Sequence, residues 1–195
     1  GGTAGRTTLA GEGLQHQDGN SHILALTVPT CRAYDPAYAF ELATIIEDGI
    51  GRMYGDGASE FYYLTVMNEQ YEMPSAPAGS REGILKGLYK FREASSTKAK
   101  AKAQLVGSGA ILNEVVKAQA LLDGYGVAAD VWGATSYNEL YREAHRTERW
   151  NLRHPGEKPR VPYVAECLGK GTGVVVAASA YLKSQPDMVA RWVGR

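Results

Sequence analysis

The feature that most constrains this chain is a repeated alternation of short strand-like and helix-like patterns, broken once by Met73-Pro74-Ser75-Ala76-Pro77-Ala78-Gly79-Ser80. A strand that feeds a helix and returns to a second strand builds a parallel sheet with helices against its faces. Before the break, Ile23 to Val28 is an apolar run ended by Pro29, and it is predicted to be a buried strand. Asp35-Pro36 then opens a helix, with Asp35 as N-cap and Pro36 in the first turn. Leu42, Ile45, Ile46, Gly49 and Met53 recur at helical spacing down to Tyr54, and Gly55 is placed to end the helix. Phe61 to Val66 is aromatic and β-branched, a strand by propensity.

After the break the alternation resumes. Residues 81–93 mix helical and strand cues and carry no assignment. Lys98, Lys100 and Lys102 alternate with alanine, which favours a solvated edge or turn over an anion-binding patch. Ala103 to Val106 reads as a strand, and Gly107-Ser108-Gly109 turns it into a helix with Ile111, Val115, Ala118 and Leu122 on one face. Val127 to Trp132 is a strand, Tyr137 to Trp150 a helix and Gly173 to Ala178 a strand. The fold class is therefore α/β, in two units that meet at the proline-bearing linker.

Composition narrows the function classes. Hydrophobic residues make up 44% and charged residues 22%, the values of a globular chain. Lys plus Arg (21) equal Asp plus Glu (21), so no basic excess points to nucleic acid or to an anionic membrane surface. No apolar run approaches the roughly 20 residues that span a bilayer. Gly1 to Arg6 lacks the features of a signal peptide, and the missing initial Met fits an internal piece of something longer. Cys31 and Cys167 are far apart without CxxC spacing, as expected of free thiols in a reducing cytoplasm.

Four segments could carry chemistry. In Gly11-Glu12-Gly13-Leu14-Gln15-His16-Gln17-Asp18-Gly19, with His22 close behind, a carboxylate and an imidazole lie four residues apart among glycines. Glycine lets backbone approach a ligand, and imidazole can pass a proton at an oxygen. A polar surface loop explains the same residues; loop spacing would permit a metal site from His16, Asp18 and His22, but no zinc or iron signature matches. Gly107-Ser108-Gly109 could hold an anion at a helix start or be a tight turn. Glu148 to Asn151 with His154 could anchor an interface or close a helix. Asn68-Glu69, after a strand, stands where open α/β sheets bind ligands, or forms a turn.

Gly1-Gly2-Thr3-Ala4-Gly5-Arg6-Thr7-Thr8-Leu9-Ala10-Gly11-Glu12-Gly13-Leu14-Gln15-His16 resembles the homodimeric pyruvate dehydrogenase E1 family, transketolase-like thiamine-diphosphate enzymes. Asp35 to Ala39, Arg52 to Gly55, Asn68-Glu69, Met73-Pro74 and Glu82 to Gly87 also resemble it, as do Leu105 to Gly109, Glu148 to Asn151 and Pro159 to Tyr163. The resemblance runs along essentially the whole chain. It implies that residues 1–76 are the end of the pyrimidine-binding middle domain. Residues 80–195 would be most of a transketolase C-terminal-like domain, incomplete at its end.

By the same resemblance, the parent decarboxylates pyruvate with thiamine diphosphate and Mg²⁺. It would act as a cytoplasmic homodimer with a second E1 subunit, and pass the acetyl unit to the lipoyl group of the E2 dihydrolipoyl acetyltransferase. Glu12 and His16 occupy the positions of the family's active-site acid and histidine. His16, with Gln15, would bind substrate or move a proton at its oxygen, and Glu12 would lie beside the cofactor. Asn20 stands where relatives often carry a further His, and nothing is assigned to it. The chain has no GDG motif with its downstream Asn placed for Mg²⁺, and no segment for the glutamate that activates the aminopyrimidine ring. The expectation is that no residue here ligates a metal, and that this piece alone binds the cofactor weakly and does not turn over. The alternatives are a related 2-oxo acid dehydrogenase or transketolase, or a non-catalytic dimerisation or E2-binding module. Trp132, Trp150 and Trp192 are the candidate contacts for such a module, with core burial expected for at least two of them.

Overall fold

The structure, a computed structural model, describes residues 18–67, 70–95, 99–169 and 173–193. Its first unit contains α1 (Ser21–Leu26), β1 (Cys31–Tyr34), α2 (Ala39–Ile50) and β2 (Phe61–Leu64). The last turn after α2, Gly51–Gly55, winds as a π-helix. β1 and β2 pair in parallel, with Cys31 opposite Phe61 and Tyr34 opposite Leu64. The parallel crossover expected from the alternation is present, but its first strand is a different segment. Ile23 to Val28, expected to be a strand, lies largely in α1 instead. A short apolar run has no periodicity to separate strand from helix. Leu24 is exposed on that helix, and Arg142 reaches the carbonyls of Leu26 and Val28 behind it.

The start of α2 also differs from expectation. Its N-cap is Tyr38, not Asp35. Glu41, in the first turn, reaches back to accept the amides of Ala37 and Tyr38, satisfying donors that the helix itself leaves orphaned. Asp35 is instead the residue next after β1.

The second unit contains α3 (Arg81–Lys86), β3 (Tyr89–Arg92), β4 (Ala101–Gly107), α4 (Ile111–Gly124), β5 (Val127–Gly133), α5 (Tyr137–Arg153), α6 (Tyr163–Leu168), β6 (Val174–Ala178) and α7 (Ser184–Asp187). The sheet order is β3-β5-β4-β6. β4 pairs in parallel with both β5 and β6, whereas β3 joins antiparallel at the edge. The unassigned residues 81–93 thus supply a helix and an edge strand, and α6 is an element that the sequence did not suggest. Lys102 lies at the exposed start of β4, solvated as expected, though β4 is an inner strand and not a sheet edge; Lys98 falls outside the described residues.

The core lies on both faces of this sheet. Leu105, Leu112, Val115 and Val131 pack β4 and β5 against α4, while Val106, Trp132, Leu140 and Val164 fill the side toward α5 and α6. Gly107 makes the first of these contacts possible. A Cβ there would sit 2.8 Å from the Cα of Leu112 and 2.9 Å from Val115. Gly109, with φ of 50°, then turns the chain in a conformation that side chains resist.

Candidate functional site where the strand ends converge

The two sheets are joined through the carboxyl ends of their parallel strands. Asp35, next after β1, donates its amide to the carbonyl of Thr135 at 2.7 Å and accepts the amide of Gly109 at 3.1 Å. Thr135 and Gly109 follow β5 and β4. Thr65, next after β2, donates its hydroxyl to Asp35 Oδ1 at 2.8 Å. Ser108, after β4, donates to the hydroxyl of Ser179, after β6, at 3.1 Å. The carboxyl ends of β1, β2, β4, β5 and β6 therefore form one buried polar seam, the position at which open α/β sheets bind their ligands.

His22 enters this seam from α1. Its ring is 2% exposed, with Nε2 2.9 Å from Thr65 Oγ1. The ring packs edge-on against Tyr63 and Tyr181, and its carbonyl accepts Asn138 Nδ2 at 2.7 Å. Asp18 folds back on the amides of Asn20 and Ser21, at 3.2 and 3.0 Å. Gly19 accepts the amide of Leu182 at 2.9 Å. The end of the glycine-bearing segment is thus tied to β2, to α5 and to the segment after β6.

Three buried polar atoms, Tyr137 Oη, Asn138 Oδ1 and Gln185 Oε1, have no hydrogen-bond partner among the described residues. Tyr137 and Asn138 begin α5, whose N-cap Ser136 accepts the amide of Glu139 and donates its hydroxyl to the carbonyl of Ala33. Burial, helped by the charge of Asp35, pushes the Tyr137 phenol well above the usual tyrosine range, so it stays a neutral donor. A buried donor and two buried acceptors of this kind leave hydrogen-bonding capacity to spare.

A line of charge lies at the opposite, amino ends of β1 and β2. Arg32, on β1, bridges Glu60 and Glu139, and Arg52 and Arg142 complete the line at either end. Arg142 also donates to the carbonyl of Cys31 at 2.6 Å. On the other flank, Tyr89 of β3 donates to the buried carboxyl of Glu41. Burial pushes Glu41 up to about 7, against the pull of its hydrogen bonds from Tyr89, Tyr38 and Ala37.

The sites expected from sequence fare unequally. Glu12, Gln15 and His16 lie outside the described residues, as do Asn68 and Glu69. Asp18 and His22 are described, and His22 reaches the seam. Ser108 and Gly109 are part of it, as a strand-to-helix turn. Among the described residues, no group of three or more His, Cys, Asp or Glu is placed to hold a metal ion. No described helix is long and apolar enough to cross a membrane. Trp132 alone of the three tryptophans is buried, so the expected burial of at least two is corrected. Trp150 and Trp192 are half-buried, Trp150 between His154 and the Arg160 guanidinium, Trp192 donating to Glu148. A groove of about 1070 Å³ runs along β6, but its lining of Val106, Leu140, Val164 and Val175 is mostly aliphatic.

Residues 87–195 match the family model of the transketolase-like TK C-terminal domain, and residues 1–74 match that of the pyruvate dehydrogenase E1 component middle domain. The chain belongs to the transketolase-like pyruvate dehydrogenase E1 family. The pyruvate dehydrogenase E1 component of Pseudomonas aeruginosa is 52% identical over 194 residues, which is 99% of this chain and 22% of that protein. The protein of the same name from Escherichia coli K12 is 49% identical over 195 residues, again 99% and 22%. The one from Cupriavidus necator is 47% identical over 196 residues, 100% and 22%. The chain therefore spans 22% of the length of these curated relatives. Among solved structures, the transketolase from Leishmania mexicana aligns with a TM-score of 0.57 at 15% identity, over 87% of this chain and 21% of its own. The transketolase from Campylobacter jejuni gives 0.57 at 12% identity, over 91% and 23%. At such identities the likeness is one of fold, and it agrees with the α/β class expected of an E1 chain.

Proposed function

We propose that the full-length protein is a thiamine-diphosphate-dependent pyruvate dehydrogenase that releases carbon dioxide from pyruvate and passes the acetyl unit to the lipoyl group of E2. The observation that carries this reading is the 52% identity, over 99% of the chain, to a protein bearing that name. The seam supports it, because residues 18–22, close behind His16 in the chain, lie at the carboxyl ends of the parallel strands. In this reading residues 1–76 end the middle domain, and residues 80–195 are most of the C-terminal domain.

Glu12, Gln15 and His16 act on the substrate side. His16 binds the keto acid and moves a proton at its oxygen, Gln15 helps to hold it, and Glu12 lies beside the cofactor. Thiamine diphosphate, held with Mg²⁺, supplies the carbanion chemistry when bound. The described residues do not fit the diphosphate and its metal. Asp35, the carboxyl in the seam, is engaged with Thr65, and among the described residues no group of three or more His, Cys, Asp or Glu is placed to make an oxygen cage. The groups that hold the cofactor are assigned to other parts of the parent, a cytoplasmic homodimer in this reading.

Carbon dioxide release by the full-length protein, measured with pyruvate, with longer 2-oxo acids and with a ketose phosphate, tests the assignment. Pyruvate is expected to be the preferred substrate; preference for the sugar phosphate would overturn it. Calorimetry on the 195-residue piece is expected to show no micromolar binding of thiamine diphosphate with Mg²⁺.

A further inference from the structure

His22 sits among groups that fix which way its ring is held. Thr65 has one hydroxyl proton, and its other two neighbours, Asp35 Oδ1 at 2.8 Å and the carbonyl of Tyr34 at 3.4 Å, are both acceptors. The hydroxyl oxygen must therefore accept from His22, and Nε2 carries the hydrogen. The line runs from imidazole N–H to hydroxyl to carboxyl, and both His22 and Asp35 are 2% exposed. An aliphatic side chain would cover Tyr63 and Tyr181 as well as an imidazole does. Burying a polar ring costs free energy unless its hydrogen bonds are met, and what a satisfied buried line adds is a single orientation.

The orientation matters because of what lies beside it in the chain. Residues 18–22 are tied down by the Asp18 turn, by Leu182 on Gly19 and by Asn138 on His22. His16 precedes that anchor by two residues and Glu12 by six. A displacement of about 1 Å at a reacting group can cost on the order of 100-fold in rate.

We propose that His22 is a positioning residue for the pyruvate chemistry: its ring, hydrogen-bonded through Thr65 to Asp35, fixes residues 18–22, the stretch that His16 precedes by two residues in the chain. This rests on the function proposed above. In this role His22 serves as a donor, its Nε2 hydrogen held by Thr65. What the seam requires of position 22 is a donor at that point, not an acid or a base.

The full-length protein carrying His22→Gln, His22→Leu or Thr65→Val tests this. Glutamine can place an N–H where Nε2 stands; leucine cannot. The leucine and valine variants are expected to lose kcat on pyruvate by about 10- to 100-fold, with KM changed less than about 3-fold. The glutamine variant is expected to stay within about 3-fold of wild type, with the wild-type pH profile. Hydrogen exchange at the amides of residues 18–26 is expected to quicken in the leucine and valine variants alone. Wild-type turnover and exchange in His22→Leu would overturn the proposal, as would a glutamine variant that is folded yet as slow as leucine, or one that loses a limb of the pH profile. Should the leucine variant fail to fold, Thr65→Val against His22→Gln carries the comparison. Should the wild-type protein leave pyruvate unchanged, the substrate reading fails, and the exchange rates still decide the anchoring.

Discussion

The hydroxyl of Tyr89, on the edge strand β3, donates to the carboxyl of Glu41, buried in the first turn of α2. This bond crosses from one unit to the other, and it makes their junction sensitive to pH. Glu41 titrates at about 7 in the folded protein, raised from 4.5 chiefly by burial. Between those two values the folded state holds a proton that the unfolded state has released. The contribution of Glu41 is therefore fully present below pH 4.5 and is lost as pH rises to 7, by roughly 3 kcal/mol at most. Denaturant titration of the full-length protein at pH 5 and 7.5 is expected to show a smaller difference between the two in Glu41→Gln than in wild type. An equal difference in both would remove Glu41 as the source.

Gly107 is expected to tolerate no side chain. Alanine would press against the Cα of Leu112, which is helix backbone and cannot swing away. The expected cost of Gly107→Ala is about 1 to 3 kcal/mol, read from the unfolding midpoint. Gly124, whose Cβ would meet nothing within 4 Å, is the control position and is expected to change little on substitution by alanine.

Arg32 ties β1 to α5 through Glu139, whose side chain is 7% exposed. Removing the guanidinium by Arg32→Met leaves Glu139 with Arg142 as its remaining ion-pair partner among the described residues. Because Arg32 is itself 24% exposed, solvent screens part of the loss, and about 1 to 2 kcal/mol is expected. A double-mutant cycle with Glu139→Gln is expected to give a coupling of about 0.5 kcal/mol or more. Strict additivity would contradict the pairing.

The two cysteines are expected to be poor nucleophiles. Burial pushes the thiols of Cys31 and Cys167 above the usual range, and for Cys31 the neighbouring Arg142 offsets that in part. Alkylation by iodoacetamide at neutral pH is expected to be slow in the folded protein and fast once it is denatured. Rapid labelling of Cys31 in the native state would contradict its burial.

How far the sequence reveals this fold depends on how local the signal is. The helices over 111–124 and 137–153 and the strands over 101–107, 127–133 and 174–178 carry clear periodicity or β-branched runs, and each is found within a few residues of its expected place. Asp35 misleads for a physical reason. Asp-Pro is a helix-start signal, but the backbone of Asp35 is taken by Thr135 and Gly109, 100 and 74 residues further along, and the helix waits for Tyr38 and Glu41. Ile23 to Val28 misleads because a six-residue, mostly apolar run fits a strand and a short helix alike. At the seam, His22 is visible from its neighbours in the glycine-bearing segment. Thr65 and Asn138 are not, since they reach it across 43 and 116 residues. Only the folded chain brings them together.

The central claim is that the segment leading into this seam carries groups that act on pyruvate. His16→Ala in the full-length protein tests it most directly, with carbon dioxide release measured in a single turnover and the fold checked by circular dichroism. Loss of about 100-fold or more, with an unchanged spectrum, is the predicted result. A turnover within about 3-fold of wild type would contradict the account.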